Sequence, residues 1–262
     1  MGGSCLNLRR FCSMTMGSEQ PGLGEYWPKV LNALRKVAPV YDKLNRVISF
    51  NSDMALRAEA VEGRIAEDEL ILDAGAGNGV FSEILLKQQP HVHDVVMLDM
   101  LVDMLSSAVE KVPREKTHAV IAVFEKMPFR EKVFDDVLMG FSLRDARDMM
   151  ATLSEVRRVI KPEGKMVVVD LGKPDNRLRT LAIGLYWRFV APIMAFVRLG
   201  LVGLTVYSIY KTYERLPTNN EMRRLLRRFF KHVELHERVM GGALIVLSKD
   251  AADRGSGERA GR

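Results

Sequence analysis

The sequence predicts a doubly wound α/β domain, with a seven-stranded, mostly parallel sheet that ends in an antiparallel C-terminal hairpin. Two observations carry this. From residue 70 to residue 170, short apolar runs of strand length alternate with helix-patterned segments, the signature of parallel βαβ units covered on both faces. The last two strand-like runs are then joined by a short connection containing Met240-Gly241-Gly242, which reads as a hairpin turn.

Taken in order, residues 25–37 have helical periodicity until Pro39 interrupts it, 41–50 continue with mixed periodicity, and 55–64 read as a helix ending near Gly63. Strand one is 70–73, followed by a glycine turn and a helix at 80–87. Strand two is 95–99, with a helix running to Val109, and strand three is 119–124. Strand four is 134–141. An amphipathic helix at 146–160 stops before Pro162-Glu163-Gly164, and strand five is 166–170. The alternation then breaks, and it resumes with a helix at 220–230 and strands at 233–238 and 243–248.

With 262 residues, 47% hydrophobic and 27% charged, the chain is sized and composed for one globular α/β domain and is not a disordered one. Residues 1–24 and 251–262 read as flexible tails, and Met14 or Met16 is an alternative first residue. The N-terminal stretch lacks the apolar run of a signal peptide, and Leu6 breaks a myristoylation pattern. Cys5 and Cys12 are the two cysteines and sit in that tail with no CxxC spacing, which argues against a disulfide scaffold and for a reducing cytoplasm. The five histidines form no metal-ligand spacing, and His91 and His93 read as loop residues. A net charge of +6 points weakly to an anionic partner.

The sharpest local signal is Asp73-Ala74-Gly75-Ala76-Gly77-Asn78-Gly79, running from strand to helix. Glycines let a backbone turn tightly and approach a ligand. Dinucleotide sites use GxGxxG with a helix N-terminus facing a pyrophosphate. Here the spacing is GxGxG, and Asp73 precedes it. A carboxylate there suits a cationic ligand such as S-adenosyl-L-methionine better than a diphosphate. Asp99, at the end of strand two, stands where an acid accepts hydrogen bonds from ribose hydroxyls. A nicotinamide site, or a turn that binds nothing with Asp99 as a helix cap, remain the alternatives.

Beyond this turn the chain resembles the quinone-biosynthesis C-methyltransferases that act on ubiquinone and menaquinone precursors. Tyr41-Asp42-Lys43-Leu44-Asn45, followed by Ser49-Phe50, is similar to that family's YDxxN…SF signature. Phe141-Ser142-Leu143-Arg144-Asp145 is similar to its FGLRN, and Lys161-Pro162-Glu163-Gly164 to the broader KPxG turn. An antiparallel hairpin is also the usual ending of class I methyltransferases. Where the family reads GDAxxLPF, this chain has Ala122-Val123-Phe124-Glu125-Lys126-Met127-Pro128-Phe129. Val123 thus replaces the acid expected at the adenine, leaving that contact to backbone groups near Phe124. Met100 and Phe141 complete the residues expected at the cofactor.

The resemblance implies methyl transfer to a ring carbon of a hydroquinone. Carbon is a weak nucleophile unless the neighbouring phenol, with a pKa of about 10, is ionised or nearly so. Arg144 follows strand four at the crevice where open α/β sheets bind ligands, and is the candidate for stabilising a phenolate. Asp145 or a water is then the proton acceptor. The structural alternative for Arg144 is a salt bridge to Asp148 at i,i+4. The resemblance further implies a lid over the cofactor from Tyr41, Asp42 and Asn45, though Tyr41 also reads as a packing anchor.

Residues 25–250 are therefore expected to form one methyltransferase domain, with a helical cap at 25–64 and an apolar substrate-binding insert at 175–217. Arg188 and Arg198 break the apolar stretch within 181–210 below the length of a membrane span. It reads either as core helices or as a tunnel for an isoprenoid tail against a membrane surface. Arg223, Arg224, Arg227, Arg228 and Lys231 are expected on one helical face, either solvated or against anionic lipid. The expected partners are a prenylated quinol, an anionic membrane surface and a second copy in a homodimer, with no nucleic acid. Rival readings are a methyltransferase for another lipid-like acceptor, or a non-catalytic cofactor-binding subunit.

Overall fold

A computed structural model describes residues 21–251. Cys5, Cys12, Met14, Met16 and the C-terminal stretch from 252 lie outside the described residues. Three helices open the domain: α1 (Trp27–Val37), α2 (Tyr41–Ser49) and α3 (Ser52–Val61). The doubly wound part follows as β1 (Leu70–Ala74), α4 (Val80–Gln88), β2 (Asp94–Asp99), α5 (Val102–Lys111), β3 (Thr117–Ile121), β4 (Phe134–Gly140), α6 (Met149–Val159) and β5 (Ile160–Leu171). Helices α7 (Arg177–Leu185), α8 (Ala191–Leu199), α9 (Tyr207–Arg215) and α10 (Asn219–Leu226) precede β6 (Phe230–Arg238) and β7 (Ala243–Ala251).

The seven strands form one sheet in the order β3-β2-β1-β4-β5-β7-β6. The first five pair in parallel, and β7 runs antiparallel to both of its neighbours. Both faces are apolar because alternate strand residues point to opposite layers. Ile71, Met97, Leu138, Val167 and Ile245 pack with α3, α4 and α5. Their sequence neighbours Leu72, Leu98, Met139, Val168 and Val246 pack with α6, α10 and the insert. This two-sided burial is what the near-continuous apolar strands require.

Several boundaries differ from the sequence expectation, each for a local reason. Residues 21–24, expected in the tail, are tied down: Leu23 and Gly24 donate their N–H groups to the carbonyls of Ala146 and Arg147, and Met149 N–H donates to Pro21. Strand β3 ends at Ile121, so Phe124 leaves the sheet and reaches the glycine turn. The Pro162-Glu163-Gly164 turn belongs to β5 as a bulge, because the register moves from Phe134↔Ile160 to Asp136↔Lys165. A Cβ on Gly164 would lie 2.1 Å from the Asp135 carbonyl oxygen, so only glycine fits there. Helix α10 stops at Leu226, four residues short of the expected end. Arg228 and Phe229 donate to carbonyls three residues back, and Phe230 pairs with Ala251 in the sheet. Lys231 is therefore a strand residue, and the basic stripe is not one helical face.

The insert is helical almost throughout. An 18-residue window within Arg177–Arg215 has a mean hydropathy of 2.0, so composition alone allows a membrane span despite the two arginines. The whole run is nevertheless not one straight helix. Gly200 has φ +67°, and the 3₁₀ turns at Gly200–Val206 fold back onto α8. Gly203 sits so close that a Cβ would fall 2.3 Å from the Ala195 carbonyl. We expect Gly203→Ala to destabilise the domain by about 1–3 kcal/mol through this overpacking. Urea unfolding should show the loss as a lower midpoint with an unchanged slope.

Candidate active site

The sheet order reverses beside β1, which pairs with β2 on one side and β4 on the other. In open α/β sheets the crevice at such a point, outside the carboxyl ends of the strands, receives ligands. Here it is built by the glycine turn after β1 and by Phe141-Ser142 after β4. Gly75, Gly77 and Gly79 have φ of +82°, +54° and +81°. A Cβ on Gly75 would lie 2.4 Å from Ser142 Cβ and 2.9 Å from the Phe124 ring. Ser142 Oγ closes the contact by donating to the Ala74 carbonyl at 2.8 Å.

Asp99 straps this turn in place. One carboxylate oxygen accepts the Gly77 N–H at 2.9 Å, and the other accepts the Leu101 N–H at 2.9 Å. Burial holds its pKa above the usual carboxylate range, against those hydrogen bonds. Asp73 lies fully buried beneath the turn. Its Oδ2 accepts from Ser82 Oγ at 2.7 Å, while Oδ1 has no partner. Burial pushes its pKa to about 6, with the Ser82 hydrogen bond and the Arg57 charge pulling the other way.

Above the turn lies a cleft of about 810 Å³ whose wall includes Gly75, Gly77, Asp99, Met100, Val123, Phe124, Phe141 and Asp145. Two residues expected at the cofactor do not line it. Asp73 sits one layer below, and Gly79 starts α4 against Ala108, where a Cβ would come within 2.9 Å. The helical cap roofs the cleft with Trp27, Leu31 and Leu34 of α1 and Tyr41 of α2. Asp42 fastens this roof, accepting from Asn78 of the glycine turn and from Lys111 Nζ of α5 at 2.6 Å.

A second cavity of about 1120 Å³ adjoins the first, and Tyr41 and Phe141 line both. Its remaining wall is largely apolar, with Ile48 and Leu56 from the cap, Leu171 from β5, and Ile183, Tyr186 and Trp187 from the insert. Phe141 divides the two spaces. It takes a left-handed φ of +58° and donates its N–H to Val169 at 2.6 Å. Such a conformation in a bulky residue is held only by its surroundings. Here the Arg57 guanidinium stacks 4.7 Å from the ring and that of Arg144 5.5 Å from it.

Arg144 and Asp145 sit in the short 3₁₀ turn that follows. Arg144 does not pair with Asp148, which instead caps α6 by accepting from the Met150 and Ala151 N–H groups. It turns inward, and its Nη1 meets Asp170 Oδ1 at the end of β5 at 2.8 Å, with its Nε 3.7 Å from Asp145. Burial opposes the charge, yet Asp145 and Asp170 hold the Arg144 pKa above its usual value. An arginine so held gives up no proton. Burial raises Asp145 to about 6 although Arg144 pulls it down, so it is mainly ionised at neutral pH and still able to take a proton. Tyr41 is raised above 10 by burial, with the Arg144 and Arg57 charges opposing. The three predicted catalytic residues thus converge at the junction of the two cavities.

Sequence reasoning assigned no role at the site to Arg57, Asp53 or Asp170, although Asp170-Leu171-Gly172-Lys173-Pro174 at the end of strand five is also similar to the quinone C-methyltransferases. Arg57 donates to Asp53 at 2.9 Å, Asp53 accepts from Ser49 Oγ at 2.7 Å, and the buried Arg57 Nε has no partner. The i,i+4 spacing of Asp53 and Arg57 was the one available signal, and it looks like any surface pair. Among the described residues, no group of three or more His, Cys, Asp or Glu side chains is placed to hold a metal.

The fold recurs in solved methyltransferases. The plantazolicin methyltransferase BpumL, solved in complex with a pentazolic desmethylPZN analogue and SAH, superposes with a TM-score of 0.62 at 16% identity, covering 86% of this chain and 97% of that one. A SAM-dependent methyltransferase from Aquifex aeolicus gives 0.53 at 18% identity, covering 79% and 93%. Sequence relatives are nearer. The ubiquinone/menaquinone biosynthesis C-methyltransferase UbiE of Syntrophotalea carbinolica is 30% identical over 219 residues, 81% of this chain and 90% of the relative. The demethylmenaquinone methyltransferase of Listeria welshimeri is 31% identical over 169 residues, 63% and 72% of the two chains. With residues 24–248 matching its pattern from the helical cap through the final hairpin, the chain belongs to the ubiE/COQ5 methyltransferase family.

Proposed function

We propose that this enzyme transfers a methyl group from S-adenosylmethionine to a ring carbon of a prenylated, demethylated quinol. The observation that carries it is the pair of adjoining cavities that share Tyr41 and Phe141. The first fits the methyl donor on its own chemistry. Gly75, Gly77 and Asp99 of the turn region line it, and a buried carboxylate oxygen of Asp73 lacks a partner below them. Carboxylates at Asp73 and Asp99 suit a cation. Bound there, the donor supplies a methyl group on positively charged sulfur.

The second cavity suits a ring with an apolar tail, and the names of the two sequence relatives support a quinol over other lipids. The protein's residues then have distinct tasks. Arg144, buried and locked to Asp170, presents a fixed positive charge that stabilises a developing phenolate without reorganising. Asp145 accepts the phenol proton, directly or through a water. Once the carbon carries the methyl group, the ring hydrogen leaves that carbon as a proton and the oxygen regains one, which restores the quinol. Tyr41 and Phe141 hold the ring carbon facing the donor, and the roof formed by α1 and α2 excludes water. The cap at 25–64 and the insert at 175–217 are the substrate-binding parts of a single domain. Because a prenylated quinol resides in a bilayer, the enzyme works from the cytoplasm at a membrane surface.

Incubation with S-adenosylmethionine and a short-chain demethylmenaquinol, kept reduced, should yield a quinone one methyl group heavier by mass spectrometry. Binding of the donor with no turnover of any quinol would leave only a cofactor-binding subunit, while turnover of a different acceptor alone would move the substrate class. Asp145 must be ionised to act, so kcat/KM should fall as pH drops below about 6. Asp145→Asn should remove that acidic limb and lower kcat/KM at neutral pH by roughly 100- to 10,000-fold.

Asp73 makes a prediction for the donor-free protein. Its folded pKa of about 6 exceeds the unfolded value of about 3.9. As pH rises from about 4, the unfolded chain therefore ionises first, and stability is lost until the folded group also ionises near pH 6. Asp73→Asn should raise stability by about 1–3 kcal/mol at pH 7 and by less than about 0.5 kcal/mol at pH 4. The same variant should bind S-adenosylmethionine more weakly. Thermal unfolding at the two pH values checks the first effect and calorimetry the second.

A further inference from the structure

The insert presents to solvent a face that nothing in the domain covers. Leu178, Leu181, Leu185, Phe189, Ile193 and Val197 recur every three or four residues, which places them on one side of α7 and α8. Leu178 is 77% exposed and Val197 75%, and only 28% of the most apolar window is buried. The opposite side, through Ala182, Ile183, Tyr186 and Trp187, lines the second cavity. The mouth of that cavity has the same character: Phe50, Val239 and Met240 line it and are also exposed. Soluble monomers rarely leave so continuous an apolar surface uncovered without a binding role.

Charge identifies what covers it. No carboxylate side chain occurs between Asp175 and Glu214, while Arg177, Arg179, Arg188 and Arg198 are all exposed there. A face of this composition, apolar with long cationic side chains and no acid, matches the interfacial zone of an anionic bilayer. A second copy of the chain fits it poorly, because a symmetric contact would oppose the same arginines with no acid between 176 and 213 to pair them. Helix α10 supplies charge without an apolar surface, since Leu225 and Leu226, with Phe229 and Phe230 beyond it, are buried.

We propose that the outer face of α7 and α8 docks on an anionic phospholipid bilayer, so that the mouth of the second cavity meets the lipid. This rests on reading that cavity as the site of a prenylated acceptor. Lipid-exposed leucines anchor the face, and the arginines reach the headgroups. The acceptor then passes into the cavity between Phe50 of the cap and the Val239-Met240 turn without crossing water.

Flotation of the full chain with vesicles tests the surface without any acceptor. The protein should partition at least tenfold more into equimolar phosphatidylcholine and phosphatidylglycerol than into phosphatidylcholine alone, and added salt should weaken this. Leu178→Ser, Leu181→Ser and Val197→Ser combined should reduce partitioning by at least tenfold. Arg177→Gln and Arg179→Gln should each cost about fivefold, the worth of one cation at an anionic surface. All these side chains are exposed, so melting temperature and SAH affinity should stay unchanged. Wild-type protein left in the aqueous fraction, a serine variant that floats like wild type, or a dimer in sedimentation that the serine variant dissociates would each overturn the proposal. Turnover of a short-chain, water-soluble quinol separates the two readings. If it persists while vesicle binding fails, the docking surface is wrong and the chemistry stands; if vesicles bind and no quinol reacts, the reverse holds.

Discussion

The whole site depends on how closely the ends of β1 and β4 approach. Ser142 hydrogen-bonds the Ala74 carbonyl, and the missing Cβ of Gly75 is the space into which Ser142 and Phe124 fit. That contact sets the direction of the chain after β4, and with it the left-handed turn at Phe141. From Phe141 follow both cavities, since its ring is the wall between them, and the inward course of Arg144. A bulkier residue at Gly75 would displace all of these together.

The second organising feature is a set of charges buried around that wall. Arg57 with Asp53, and Arg144 with Asp170, are paired inside the protein rather than at its surface. Pairs of this kind add little net stability, and removing one partner costs about 3–5 kcal/mol because the other is left uncompensated. They do hold two guanidinium groups rigidly against Phe141. The same burial lifts Asp73 and Asp145 to about 6, leaving carboxylates that gain from a bound cation or an arriving proton. The strain and the desolvation occur where ligand chemistry would use them, as they do at functional sites generally.

The cap and the insert complete the site from opposite directions in the sequence. Residues 27–57 roof the first cavity, residues 171–187 wall the second, and Tyr41 serves both. Asp42 links the roof to the glycine turn through Asn78 and to α5 through Lys111. The roof and the floor of the first cavity are therefore tied together by direct side-chain contacts.

Periodicity and turn chemistry are local, so the sequence alone determined the seven strands, the parallel winding, the closing hairpin and the glycine turn with Asp99. The family resemblance carried by the YDxxN and FxLR segments singled out Tyr41, Arg144 and Asp145 together, and the fold brings these side chains close to one another. What those segments could not convey is which partner each charge takes. Arg144 faced Asp148 by helical spacing and faces Asp170 in space, because β4 and β5 are neighbours in the sheet. Arg57 looked like half of a surface pair and is buried under Phe141, because α3 packs on the sheet. The end of α10, the bulge in β5 and the folding back of the insert at Gly200 were likewise decided by contacts between distant segments. Tertiary structure alone also distinguished which side of the apolar insert lines a cavity and which stands in solvent, since a helix with apolar residues on both sides has no pattern that separates them.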